Sequence, residues 1–247
     1  MSTKINYKVE ISYDGNYFYG WAKQPNLITV QSELEKRLSL LFKEEIIVYS
    51  SGRTDRYVHA IAQVFSFKTK NEIPIIAIMH VLNKPRFHYK VKNVEIVEGT
   101  FHARFSAKSK TYRYKIKTQW NSNEEIFLQN YFLLYDKELN WTKIKFGISQ
   151  LKGKHDFASF SAKEDYLDSV RTINEINIIE EENTFILEFN GNGFMRYMVR
   201  NLVGSLLALN EDKITISEFE DYLENPRKGK VHYKAKGNSL YLYKVFY

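Results

Sequence analysis

The chain has 247 residues, enough for one large domain or two small ones; 44% are hydrophobic and 15% aromatic, which excludes disorder and supplies a packed core. The formal charge of +7 points to a polyanionic partner such as nucleic acid, although most of the 36 basic residues are lysine and a lysine-rich proteome would raise the pI of any of its proteins. The lack of cysteine excludes disulfides and thiolate-held metals. The apolar stretches Ile73–Leu82 and Leu202–Leu209 are too short for a bilayer, and Met1–Lys8 leads into strand-like sequence without a signal peptide, so a cytoplasmic location is expected.

One order of elements occurs twice along the chain. Tyr7–Tyr13 alternates polar and apolar residues like a strand. Val30, Leu34, Leu38, Leu41 and Phe42 follow at helical spacing behind Thr29, a predicted N-cap. Ile46–Ser50 and Ile61–Phe67 read as strands around the polar loop Ser51–Ala60; Pro74–Leu82 reads as a helix and His88–Val97 as a strand. The second round runs through strand Thr111–Lys117, helix Trp141–Leu151 and the strands Val170–Glu180 and Thr184–Asn190, which turn at Glu182–Asn183. A helix after Gly193 follows, stacking Met195, Met198, Val199, Leu202, Val203 and Leu206, then a short helix Ile216–Leu223 and a closing strand Ser239–Phe246.

Both rounds give β-α-β-β-α-β, the ferredoxin-like order, with insertions at Trp120–Asn140 and Gly153–Ser169. The expected fold is α+β: two ferredoxin-like halves, residues 1–105 and 106–247, with mainly antiparallel sheets and a cleft between them for a long ligand. The junction His102–Lys110 is basic and has no strong apolar period.

Three clusters hold chemistry-bearing side chains. The loop Ser51-Gly52-Arg53-Thr54-Asp55-Arg56-Tyr57-Val58-His59-Ala60 sets a carboxylate, two arginines and a histidine between apolar strands; most loops of this composition are ordinary polar turns, but loops on rigid sheets are also where function concentrates. In the second cluster Arg104, Lys108, Lys110, Arg113 and Lys115 interleave with Phe105, Tyr112 and Tyr114, which suits phosphates and bases and equally suits a strand with a solvated cationic face. The third, Gly191 to Asn201, places Arg196 and Arg200 one helical turn apart, with Arg200 among apolar neighbours where it either meets an acidic partner or snorkels to solvent. No glycine-rich phosphate cradle, no paired histidine metal spacing and no nucleophile-elbow serine occurs.

Taken in order, these clusters resemble the TruA family of tRNA pseudouridine synthases over nearly the whole chain. Tyr13-Asp14-Gly15, Gly20-Trp21, Gln24-Pro25 and Thr29-Val30-Gln31 are similar to its opening segment, and Gly52-Arg53-Thr54-Asp55 with Val58-His59-Ala60 to its catalytic loop. Phe101-His102-Ala103-Arg104-Phe105 with Thr111-Tyr112-Arg113-Tyr114 resembles the central block. Gly153-Lys154-His155-Asp156-Phe157 resembles a further one, and Gly193-Phe194 with Met198-Val199-Arg200-Asn201 the arginine-bearing helix. Three positions depart from the pattern: Tyr57 stands where glycine is usual, Ser106 replaces a common aspartate, and Lys234-Ala235-Lys236-Gly237 lacks proline.

The resemblance implies isomerisation of uridines 38–40 in the tRNA anticodon arm by a homodimer without cofactor or metal. Pseudouridine formation breaks the N1–C1′ bond, turns the uracil and joins C5 to C1′; the base never leaves, so one carboxylate suffices where glycosidases commonly need two. Asp55 is expected to be that carboxylate, attacking C1′ or removing a proton from C2′, and the resemblance gives Arg200 as the guanidinium that keeps it charged. It also gives Tyr112 as the ring that stacks on the extruded uracil, and Arg53 as the residue that fills the vacated space or holds the flipped nucleotide. Arg104, Lys108 and Lys110 are assigned to RNA backbone contacts. The alternatives are a catalytically idle RNA-binding module, or the same chemistry at another RNA site.

Overall fold

The computed structural model describes residues 4–119, 123–162 and 168–247; parts of both expected insertions, 120–122 and 163–167, lie outside them. The protein is a mixed α+β fold with mostly antiparallel strand pairing and, among the described residues, five α-helices. The chain forms two compact units, Met1–Lys108 together with Tyr241–Tyr247, and Ser109–Leu240.

In the first unit, β1 (Ile5–Tyr13) pairs antiparallel with β3 (His59–Thr69) on one side and β4 (Tyr89–Val97) on the other. Its alternation turns Tyr7, Val9 and Ile11 into the core, beside Leu34 and Leu38 of α1 (Val30–Phe42) and Ile78 and Leu82 of α2 (Ile75–Leu82). Tyr7 stacks on Phe67 at 5.1 Å, with Phe42 closing the cluster. Helix α1 begins where the sequence predicts, because Thr29 and Ser32 form a reciprocal capping box. Pro74 caps α2 from just outside it.

The predicted strand Ile46–Ser50 shrinks to β2 (Tyr49–Ser50). The cause lies on α1: the Ser39 hydroxyl accepts from the Ile46 N–H at 2.9 Å, and the buried Glu35 carboxylate accepts from the Val48 N–H at 3.2 Å. Both donors are therefore taken by side chains rather than by a strand ladder. The last strand, β10 (Leu240–Phe246), is expected from sequence to close the second half; it also runs parallel to β3, with Tyr241 opposite His59 and Leu242 opposite Ala60.

In the second unit, β5 (Ser109–Lys117), β9 (Thr184–Gly191), β8 (Val170–Glu181) and β7 (Gly153–Asp156) form an antiparallel run in that order. The short β6 (Leu133–Leu134) pairs parallel to β5, and β6 and β7 both fall inside the stretches expected to be insertions. Helix α4 (Met198–Asn210) is buried along nearly its whole length and packs on α3 (Trp141–Leu151), where a Cβ at Gly147 would stand 2.6 Å from Leu206. Helix α5 (Ile216–Glu224) starts at a second capping box, Thr215 with Glu218.

Candidate active site

The loop 51–58 leads into β3 and is fixed from below by buried polar side chains. The Gln63 amide donates to the Gly52 carbonyl at 2.8 Å while its oxygen lies 2.6 Å from the Ser51 hydroxyl. The Tyr13 hydroxyl meets the Thr54 hydroxyl at 2.8 Å, and the Trp21 N–H donates to the Thr54 carbonyl at 3.0 Å. The loop closes on itself where the Val58 N–H donates to the Asp55 carbonyl at 3.2 Å. Thr54 and Val58 are thus buried anchors, while Arg53 and Arg56 are exposed and Asp55 is half-buried between them. A carboxylate on a loop tied down on both sides is presented in a fixed place, which a nucleophile or base requires.

Tyr57 takes a left-handed backbone, φ 68°, so the loop keeps the conformation that favours glycine although the residue is tyrosine. Gly15 explains why the loop turns so tightly. A Cβ there would stand 2.4 Å from the Val58 carbonyl oxygen and 2.7 Å from the Tyr57 carbonyl carbon. The Gly15 N–H donates to Nδ1 of the buried His59 at 3.1 Å, and the same nitrogen lies 3.2 Å from an Asp14 carboxylate oxygen. His59 stacks on Tyr241 with ring centroids 4.7 Å apart, which ties the last strand to the end of the loop. The sequence gives no role to Gln63 or Tyr241, and it marks Gly15 only as part of the block Tyr13-Asp14-Gly15.

Burial pushes the Tyr13 phenol up to about 12, with the hydrogen bonds to Thr54 and Gln63 opposing the rise. The folded state therefore favours the protonated phenol. Its contribution is fully present below pH 10, the ordinary value, and is lost as the pH climbs toward 12. Two pH units correspond to about 2–3 kcal/mol for this fully buried group. Tyr13→Phe is expected to flatten the fall in stability over that range by about this amount, read from denaturant titrations at pH 9 to 12; an unchanged alkaline limb would show that Tyr13 does not couple the loop to pH.

The basic junction forms a compact turn in the same unit. Ser106 donates its backbone N–H to the His102 carbonyl at 2.9 Å, and its hydroxyl accepts from the His102 N–H at 3.1 Å, so it keeps the acceptor role open to the usual aspartate. Arg104 and Phe105 are exposed, with the guanidinium 5.7 Å from the ring centroid, and Lys108 is exposed where the chain leaves the turn.

In the second unit, Tyr112 lies on β5 opposite Phe189, buried and in edge contact with Phe194 at 5.2 Å; Lys110, at the start of the same strand, is half-buried. Arg200 lies in the first turn of α4. Its Nε donates to the Ala235 carbonyl at 2.8 Å, and the Ala235 N–H donates back to the Arg200 carbonyl at 3.0 Å. The strand-ward segment passes so close to α4 that a Cβ at Gly204 would stand 2.3 Å from the Tyr233 carbonyl oxygen. Burial pushes the neighbouring Tyr114 phenol up to about 12, an effect the Arg200 charge partly offsets.

The expected pairing of Arg196 and Arg200 along one helix needs correction. Tyr197 is left-handed, φ 65°, so α4 begins only at Met198 and Arg196 sits in the turn before it. The two arginines instead flank the Tyr197 ring, at 4.7 and 5.5 Å, with Lys234 at 4.3 Å. Within each unit, then, the predicted residues fall into local groups: Arg53 with Asp55, Arg104 with Lys108, and Tyr112 with Lys110 on one strand.

The protein is thus a basic α+β fold that presents an anchored, half-buried aspartate, with cationic and aromatic side chains on both units. The comparisons with known proteins place it in a family. Residues 11–106 and 148–247 match the family model described as tRNA pseudouridine synthase. The chain is 44% identical to "tRNA pseudouridine synthase A" of Malacoplasma penetrans (strain HF-2), over 98% of this chain and 100% of that protein. Proteins of the same name are 41% identical in Mycoplasma genitalium, over 96% of both chains, and 39% identical in Dictyoglomus turgidum, over 98% of this chain and 99% of that one. The chain belongs to the tRNA pseudouridine synthase family, whose members are enzymes that isomerise uridine in tRNA.

Proposed function

We propose that the protein converts uridine to pseudouridine at positions 38–40 of the tRNA anticodon arm, with Asp55 as the reacting carboxylate. The observation that carries this reading is the loop itself: Asp55 is held half-exposed at the head of β3 by hydrogen bonds to its neighbours on both sides, while Arg53 beside it is free to reach an extruded nucleotide's backbone. By resemblance Arg200 is the guanidinium that partners the carboxylate; its Nε is held on the Ala235 carbonyl. By resemblance Tyr112 is the ring that stacks on the flipped uracil and helps take the C5 proton. Arg104, Lys108 and Lys110 neutralise phosphates and position the RNA by shape.

The reaction needs no atom from outside, because the N1–C1′ bond breaks, the C5–C1′ bond forms and the C5 proton ends on N1. The residues of the chain must therefore do three things: extrude the base, stabilise the sugar carbon as the bond breaks, and move one proton. Each unit reads as a ferredoxin-like half, supported by the order β4-β1-β3 with β2 beside β3 in the first and β5-β9-β8 in the second. By resemblance the enzyme works as a homodimer in the cytoplasm.

Pseudouridine mapping on unmodified tRNA transcripts with anticodon-arm uridines tests the reading. Conversion is expected at 38–40 and nowhere else. Conversion at a different position would keep the chemistry and move the site; tight binding with no conversion anywhere would leave an idle RNA-binding module.

A further inference from the structure

Tyr57 presents an unusual combination. Its backbone is left-handed, a conformation that costs a tyrosine free energy, yet the residue is 41% exposed and so is not rewarded by burial in the core. The position is two residues from Asp55, on the loop that the rest of the first unit is built to hold still. The ring does have one partner: the Arg56 guanidinium lies 4.5 Å from its centroid and 4.2 Å from that of Tyr19, itself 39% exposed. Arg56 is thereby held between two rings at the surface, its charge in place and each ring stiffened by the stack.

We propose that Tyr19, Arg56 and Tyr57 form a stacking platform for a nucleobase next to the uridine that is isomerised. This rests on the proposed function above and adds a residue-level account of how the RNA is seated there. Exposed tyrosine faces backed by a fixed cation suit a base and its adjoining phosphate together: the ring gives sequence-tolerant stacking, and the guanidinium gives charge. Such a platform acts on substrate binding rather than on bond breaking, because neither ring needs to touch the reacting atoms. It also accounts for the strain, since a left-handed residue at this place directs a large side chain away from the loop's buried anchors, Thr54 and Val58.

The test compares wild type, Tyr57→Gly, Tyr57→Phe and Tyr19→Leu in three measurements: thermal melting, tRNA Kd at fixed salt, and KM with kcat for pseudouridine formation. Tyr57→Gly removes strain and ring together, so it is expected to melt at a higher temperature while its Kd and KM rise roughly tenfold. Tyr57→Phe keeps the ring and is expected to bind like wild type; Tyr19→Leu is expected to weaken binding several-fold. Higher melting with unchanged Kd in Tyr57→Gly would overturn the platform, and so would Tyr57→Phe binding as weakly as Tyr57→Gly. The Kd comparison reads the platform even in the case where wild type forms no pseudouridine, which would count against the proposed function alone.

Discussion

Asp55→Asn is expected to abolish pseudouridine formation, by at least about three orders of magnitude in kcat, while tRNA binding stays within about twofold. The substitution preserves shape and removes the charge, so neither covalent attack on C1′ nor proton abstraction at C2′ remains open. The loop is expected to survive it. The Tyr13–Thr54 contact, the Trp21 N–H on the Thr54 carbonyl and the Gln63 amide on the Gly52 carbonyl all stay in place, since these three do not use the Asp55 carboxylate. Binding to a polyanion is likewise not expected to suffer from the loss of one negative charge. Single-turnover conversion of a labelled transcript, with a filter-binding titration in parallel, separates the two effects. Residual activity within tenfold of wild type would remove Asp55 from the chemistry.

The second large effect comes from a residue with no reactive group. Gly15→Ala would place a methyl carbon 2.4 Å from the Val58 carbonyl oxygen and 2.6 Å from the Val58 carbonyl carbon, and backbone atoms cannot rotate aside as a side chain can. Either the turn after β1 that holds Gly15 or the loop must move. The expected loss is about 2–4 kcal/mol of stability, together with a fall in kcat of roughly a hundredfold, because displacing a catalytic group by about 1 Å costs that much. Gly99→Ala is the matched control: a Cβ there meets nothing within 4 Å, so both stability and rate are expected to hold. Calorimetric melting and kcat measured on the same preparations decide the matter. A Gly15→Ala protein as stable and as fast as the Gly99→Ala control would mean that the loop has slack that the packing around Gly15 does not suggest.

The two expected results differ in what they probe. Asp55→Asn removes a functional group from an intact frame, whereas Gly15→Ala keeps every functional group and disturbs the frame. If both behave as expected, the rate depends on the tight packing of the opening segment as well as on the carboxylate it supports.

What the sequence by itself determined was local. Alternation marked β1 and β5, the 3.6-residue period marked α1, and Thr29 ahead of Val30 marked the α1 start, because each of these depends on residues within a few positions of one another. The ordered blocks around Asp55, Tyr112 and Arg200 likewise carried the family, to which the chain belongs. The tertiary structure decided what depends on distant partners. Ile46–Val48 has strand-like residues, but Ser39 and Glu35 of α1 capture its backbone donors. The last strand has the right alternation, yet only the fold shows it lying along β3 with Tyr241 on His59, far beyond any local period. The start of α4 moved past Arg196 because Tyr197 is left-handed, a choice that helix propensity does not encode. Close approach of backbone to Gly15 and Gly204 was invisible for the same reason: a glycine's neighbours in space are set by how the whole chain packs, and a sequence records only its neighbours along the chain.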